Sequence, residues 1–376
     1  MTATPWAPYD ALLLVSFGGP EKPEDVVPFL QNVTAGKNIP VERLEEVGEH
    51  YYGFGGKSPI NDQNRALIAA LEQDLAANGV DLPVYWGNRN WDPYLTDTLR
   101  QMAADGVTRV ACWVTSAYSS YSGCRQYREN FADAVAELAA EGVQAPQLDR
   151  LRHYFNHPGF VAANLDATAD ALRTLEDEVG AEKASAARLV FVTHSIPDAM
   201  EDASGASAAE GLPGGAYTRQ HRDLAATIVA GIAERTGTTH DHDLVFCSRS
   251  GPPQVPWLEP DVNDHLTALA GEGVPAVVLI PIGFVSDHME VIYDLDTEAA
   301  ATAEGLGLPF VRAATAGTHP AFVQVARELL LERAAAERGE SPVRPAVGDL
   351  PPSWDVCPPG CCANLRGPRP ALCGRD

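Results

Sequence analysis

Two groups of residues in this chain could do metal chemistry. His194 stands in Val-Thr-His-Ser-Ile-Pro, and a neutral imidazole can bind a metal or accept a proton near neutral pH. Glu290, Asp294 and Glu298 recur at four-residue spacing, which on an α-helix puts three carboxylates on one face. Like charges so spaced are unfavourable on a plain surface helix, whereas a row of hard oxygen donors can pass a hydrated divalent cation along. Read alone, each has an ordinary alternative: a histidine hydrogen-bonded in a loop, or a solvated acidic face. Together, an imidazole and a carboxylate suit a borderline cation such as Fe²⁺ and can also accept protons.

The second concentration of chemistry is sulfur. The chain holds seven cysteines, four of them between Cys357 and Cys373, in Cys357-Pro-Pro-Gly-Cys361-Cys362 and then Cys373. Thiolates this close suit zinc or an iron–sulfur cluster, and the spacing matches no common zinc finger. Residues Met1 to Tyr9 carry neither a basic region nor an apolar run, so no export signal is expected. That sets the expected compartment as the cytoplasm and makes disulfides a poor expectation. Cys112 and Cys247 lie in or beside apolar runs and are expected to be buried and inert.

Composition narrows the partners. With 51 acidic against 27 basic residues the formal charge is -24, which argues against a nucleic-acid partner or an anionic membrane surface. The longest apolar runs, Ala11–Val15 and Ala276–Ile282, fall far short of the roughly 20 residues a membrane span needs. No Gly-x-Gly-x-x-Gly and no Gly-x-x-x-x-Gly-Lys-Ser/Thr occurs, so a dinucleotide or nucleoside triphosphate site is not expected.

The elements that must hold these groups alternate. Strands are predicted at Ala11–Phe17, Val84–Gly87, Val110–Thr115, Leu189–Thr193, Leu244–Cys247 and Ala276–Ile282. Their continuous apolar character fits parallel strands buried on both faces. Amphipathic stretches such as Asn64–Ala77, Tyr94–Ala104, Asn130–Ala140 and Asp223–Arg235 lie between them. The expected fold class is α/β, with two similar Rossmann-like halves at 1–160 and 161–338. A linker and Cys-rich extension follow at 339–376, the linker proper at Gly339–Trp354, and a loop is expected at Asp202–Gly215. In open α/β sheets ligands sit beyond the carboxyl ends of the strands. That marks Gly18–Pro20, Ser116–Tyr121, His194-Ser195, Ser248–Gly251 and Gly283–Glu290, with a helix expected to be capped by Ser286 or Asp287. His194 and Glu290 are expected to be delivered to the same crevice, one from each half.

Five stretches, in order, resemble the ferrochelatase family. They are Leu13-Leu-Val-Ser-Phe-Gly-Gly-Pro20, Gly55-Gly-Lys-Ser-Pro59, Val192-Thr-His-Ser-Ile-Pro197, Ser248-Arg-Ser-Gly-Pro-Pro with Pro256-Trp257, and Pro281-Ile-Gly-Phe-Val-Ser-Asp-His-Met-Glu290. The resemblance implies a chelatase-type fold with a porphyrin held between the halves. It also implies His194 and Glu290 as the catalytic pair on opposite sides of the macrocycle, with Asp294 and Glu298 continuing a metal path. Ser58 and Tyr127 match family positions that contact the porphyrin, and Tyr51 is a further candidate. Phe17 stands where some relatives carry an iron-ligating tyrosine; phenylalanine cannot ligate and is expected only to pack on the macrocycle.

The tail resembles that of ferrochelatases carrying a [2Fe–2S] cluster. This implies Cys124 as an internal ligand and three more from Cys357, Cys361, Cys362 and Cys373, the spare one left open. Membrane-associated relatives have a long apolar lip where Asn32–His50 is polar here. That favours coproporphyrin III over protoporphyrin IX as the partner of Fe²⁺, as in the actinobacterial ferrochelatases the tail resembles, and a monomer without stable membrane insertion. A cobalt or sirohydrochlorin chelatase, a non-catalytic porphyrin or haem carrier and an iron–sulfur regulator are the competing readings.

Overall fold

The computed structural model describes residues 4–372. Among the described residues, eight strands form two four-stranded sheets, parallel throughout. The first holds β1 (Ala11–Ser16), β2 (Val84–Asn88), β3 (Arg109–Val114) and β4 (Gln147–Arg150) in the order β2-β1-β3-β4. The second holds β5 (Arg188–His194), β6 (His242–Cys247), β7 (Val277–Ile280) and β8 (Phe310–Arg312) in the order β6-β5-β7-β8. The two halves therefore repeat one plan. All residues of β1 and β7 are buried, as strands covered by helices on both faces must be.

Two strands are absent from the sequence reading, β4 and β8. Both are short sheet edges with mixed polarity, Gln-Leu-Asp-Arg and Phe-Val-Arg, so they carry no apolar run. The helix Pro158–Val179 straddles the expected boundary at 160 and packs against β7 and β8 of the second sheet. The halves share one core, in which Trp113 of the first and Phe322 of the second have ring centroids 5.3 Å apart. The helix Pro320–Glu337 supplies Phe322 and packs on both Ile60–Ala77 and Pro158–Val179.

The region 202–215 is irregular but not wholly a loop. The helix Asp198–Ala203 runs into it and a 3₁₀ turn forms at Ala208–Glu210. The segment 339–354 has no helix or strand, yet it is pinned. Val347 N–H donates to the Asn156 carbonyl at 2.9 Å, and the Asn156 amide donates to the Leu350 carbonyl at 2.9 Å.

Candidate active site

Strand register brings the marked residues together. β5 lies between β6 and β7, with His194 opposite Cys247 and Phe191 opposite Ile280. The segments after the three strands consequently emerge side by side, carrying His194, Ser248 and Glu290. Both His194 and Glu290 come from the second half; the expectation of one from each half does not hold, because neighbouring strands of a single sheet deliver them.

His194 closes β5 rather than following it. Its Nδ1 faces the Ser195 carbonyl, an acceptor only, so Nδ1 carries a proton. Its Nε2 lies 3.4 Å from Glu290 Oε1, and His288 Nδ1 lies 3.7 Å from Glu290 Oε2. No macrocycle fits between groups that touch, so the pair presents one joint surface instead of flanking a ring. Burial opposes the charge on His194, but the Glu290 carboxylate and the Ser195 carbonyl outweigh it and lift the imidazole to about 9. Burial likewise opposes charge on Glu290, and His194 with His288 outweighs it, holding the carboxyl at about 2. At neutral pH the pair is an imidazolium and a carboxylate.

The helix expected from Ser286 or Asp287 starts later, at Met289–Ile292, with His288 before it and no side-chain cap. Asp287 is otherwise engaged: its carboxylate accepts from Thr315 at 3.1 Å and faces Arg312 at 3.3 Å. A π-helical segment, Asp294–Ala299, follows, and the Glu298 amide reaches back five residues to the Tyr293 carbonyl at 2.9 Å. The acidic row survives this wide turn. Burial, then Glu290 and Glu298, raise Asp294 to about 7 against a hydrogen bond from the Ser248 hydroxyl. Ser248 adopts φ 63°, a left-handed conformation uncommon for serine.

The first half supplies an aromatic wall. Phe17 and Tyr51 pack edge-on against Phe29, at 6.2 and 6.0 Å. Tyr51 faces the acidic row: burial, then Glu290 and Asp294, push its phenol well above its ordinary value. Tyr127 is buried under the Arg89 guanidinium, 4.5 Å from its ring centre, and the same guanidinium lies 5.6 Å from Phe17. Ser58 is buried, and its hydroxyl accepts the Ile60 amide at 3.4 Å, so here it braces the loop beside Gly19. In the polar segment that stands where other relatives carry an apolar lip, the helix Val41–Tyr52 stacks His50 on Tyr293 at 3.9 Å.

Arg89 was not among the expected site residues. It directly follows β2, and the same strand-end rule that marked His194 would have found it. Its Nε donates to Asn130 Oδ1 at 2.8 Å, and among the described residues it forms no ion pair.

The four thiols of Cys124, Cys357, Cys361 and Cys362 form a buried cluster. Cys124 Sγ lies 3.9 Å from Cys357 Sγ, and Cys361 Sγ lies 3.7 Å from Cys362 Sγ. The Gly205 amide donates to Cys362 Sγ at 3.3 Å. Hydrogen bonds from Cys357 and Cys362 hold the Cys124 thiol well below its ordinary range, with Arg150 adding positive charge. Cys373 lies outside the described residues. Cys112 and Cys247 are buried, as expected. Among the described residues, no three His, Cys, Asp or Glu side chains converge as they would on one bound ion, and no helix is long and apolar enough to cross a membrane.

Residues 9–334 match the family described as ferrochelatase. A coproporphyrin III ferrochelatase of Streptomyces griseus is 60% identical over 370 residues, covering 98% of this chain and 97% of that protein. One from Streptomyces coelicolor is 59% identical over the same length and coverage. A ferrochelatase of Rhodopirellula baltica is 49% identical over 369 residues, covering 98% and 97%. Among solved structures, SirB from Bacillus subtilis with Fe³⁺ aligns with a TM-score of 0.46 at 12% identity, over 88% of this chain and 97% of that one.

Proposed function

The chain belongs to the ferrochelatase family, and from that premise we propose that it inserts Fe²⁺ into coproporphyrin III, with His194 and Glu290 handling metal and protons. The observation that carries this reading is the 3.4 Å contact between His194 and Glu290, backed by Asp294. The insertion exchanges one Fe²⁺ for the two pyrrole N–H protons. An imidazolium cannot accept a proton, so the pair must first be discharged. Iron arriving at Glu290 competes for its carboxylate and repels the proton on His194, and Asp294, raised to about 7, would take that proton. The freed His194 then accepts the two pyrrole protons in turn, passing the first to Asp294 before it takes the second, and Glu298 continues the outward route to solvent.

Iron reaches the macrocycle from the side of this joint surface. Phe17 and Tyr51 would pack on the ring, Tyr127 would reach it only if the Arg89 guanidinium above it moves, and Arg89 offers a cation that could bind a propionate. Ser58 would reach the substrate only if its loop shifts. The named activity of the Streptomyces relatives supports coproporphyrin III over protoporphyrin IX.

The test is product identification by absorption and mass after anaerobic mixing with Fe²⁺ and each porphyrin. Iron coproporphyrin III is the expected product; insertion into protoporphyrin IX alone would overturn the substrate assignment. His194→Ala should abolish insertion while porphyrin binding persists. Glu290→Gln should cost far more activity than Glu137→Gln on the surface.

The four thiols fit a [2Fe–2S] cluster, with Cys124, Cys357, Cys361 and Cys362 as its ligands. They are buried and mutually in contact, Cys124 and Cys361 each meeting both Cys357 and Cys362, so four thiolates converge on one small site. Arg150 beside Cys124, and Arg128 beside Cys357, would offset the cluster's negative charge. The bound group would supply one-electron chemistry and a cross-link between the extension and the body. Purified protein should be red-brown, and Cys124→Ser should lose that colour.

A further inference from the structure

The irregular segment after His194 is more tightly held than its composition suggests. Glu201 and Ser204 are buried. The Ser204 hydroxyl donates to the Glu201 carbonyl at 2.7 Å and accepts the Tyr217 amide at 3.0 Å. The Ser204 carbonyl accepts the Ala216 amide at 3.1 Å, and the Glu201 carbonyl accepts the Gly215 amide at 3.0 Å. Glu201 Oε1 accepts the Thr218 amide at 3.2 Å. A Cβ on Gly214 would fall 1.6 Å from the Asp202 carbonyl oxygen, so the two strands of the loop run in direct contact.

One end of this segment grips the thiol cluster. Gly205 donates to Cys362 Sγ at 3.3 Å, and the Ser207 hydroxyl donates to the Pro359 carbonyl at 2.7 Å. The other end grips the crevice. Tyr217 Oη donates to the His194 carbonyl at 2.9 Å and lies 2.7 Å from Thr193 Oγ1. An unbroken path thus runs from Cys362 through Gly205, Ser204 and Tyr217 to the backbone of His194.

We propose that the segment from Glu201 to Tyr217 is a strap that carries the state of the thiol site to the crevice, with Tyr217 as a positioning residue for His194. The proposal rests on the reading that the thiols hold a cluster. A ligating thiolate accepts the Gly205 hydrogen bond more strongly than a neutral thiol, because charge-assisted hydrogen bonds are about twice as strong. That difference is what allows occupancy to bias the strap, since a ligand shifts an equilibrium only through differential interaction. The Tyr217 hydroxyl is engaged by the His194 carbonyl and Thr193, so it fixes the backbone from which the His194 ring projects.

Hydrogen exchange of the full chain, cluster-loaded and after stripping by a chelator, reads the strap directly. Exchange at residues 204–217 should rise about tenfold on stripping, the ratio expected for a contact weakened by one factor of ten in its equilibrium constant, while 277–280 stays unchanged. Tyr217→Phe should keep the visible spectrum of the cluster and the KM for coproporphyrin III, and lower kcat about tenfold. Stripping the cluster from Tyr217→Phe should then lower kcat no further, because the two changes break one path. Unchanged exchange at 204–217, or effects on kcat that multiply, would overturn the strap. Protein lacking iron and acid-labile sulfide would overturn the cluster reading instead. Ser204→Ala then tests the strap alone, since it cuts the Tyr217 contact without touching a thiol. A kcat equal to that of the unmodified chain would sink the strap whatever the thiols hold.

Discussion

Gly283 shows how closely the site is built at the level of one atom. A Cβ there would lie 2.1 Å from Thr193 Oγ1 and 2.7 Å from Thr193 Cα, and Thr193 precedes His194. Backbone cannot yield as a flexible side chain does, so Gly283→Ala must push β5 and the segment after β7 apart. Overpacking of this kind costs about 1–3 kcal/mol. We expect a lower Tm and a loss of insertion activity larger than the lost stability explains. An alanine variant with unchanged Tm and kcat would show that the two segments have slack. His194 and Glu290 were legible in the sequence because each follows an apolar run that becomes a central strand. Their contact was not, because it depends on β5 and β7 being neighbours, which no local pattern records. Tyr217 was illegible for the same reason: it acts on His194 from a helix 23 residues on, through a backbone carbonyl.

At the scale of elements, spacing alone misjudged the acidic helix. Four-residue spacing implied one regular α-helix, whereas the chain forms a short α-turn, a π segment and a second α-helix, Ala300–Leu306. The competing demand is on Asp287, whose bonds to Thr315 and Arg312 remove it as a cap. The apolar strands were placed to within a few residues, since burial on both faces writes a continuous run. The edges β4 and β8 were missed because an edge needs no such run. The polar lip was expected to stay clear of a membrane, and its helix does carry a tie to the other half, His50 stacked on Tyr293. Stacked aromatic pairs contribute about 0.5–1.5 kcal/mol beyond area burial. If the lip must lift for the porphyrin to enter, His50→Ala should speed association about fivefold, the factor for roughly 1 kcal/mol. Stopped-flow fluorescence quenching would measure it, and an unchanged association rate would mean the lip is not the barrier.

The whole molecule behaves as one body because charge and core both cross between its halves. Arg152 pairs with Glu332 through two hydrogen bonds, at 2.6 and 3.0 Å, with both residues buried. Arg327 pairs with Asp74 at 2.7 Å, and Arg333 with Asp149 at 3.7 Å. Removing one member of a buried pair leaves an uncompensated charge and costs about 3–5 kcal/mol, so Glu332→Ala should lower Tm by many degrees while leaving a single transition. Two separate transitions would show that the shared core does not couple the halves. Protons act on the same scale. Burial, aided by Arg152, holds His157 down to about 4, and burial holds His221 down to about 3. Unfolded, each titrates near about 6.5. The folded chain therefore binds fewer protons below that value, so this stability is full above about 6.5 and is lost as pH falls towards the folded pKa values. Asp294, raised to about 7, works in the opposite sense over part of this range, and most other carboxylates stay charged down to about 4.5. A difference between variants separates these contributions. His221→Gln keeps a donor for the Tyr217 carbonyl, which His221 Nδ1 reaches at 2.7 Å, but cannot ionise. Between pH 7 and pH 5 its Tm should fall less than that of the unmodified chain. Equal slopes would mean that His221 is protonated in the folded chain, or that its ring escapes the stack on Tyr118 before the fold is lost.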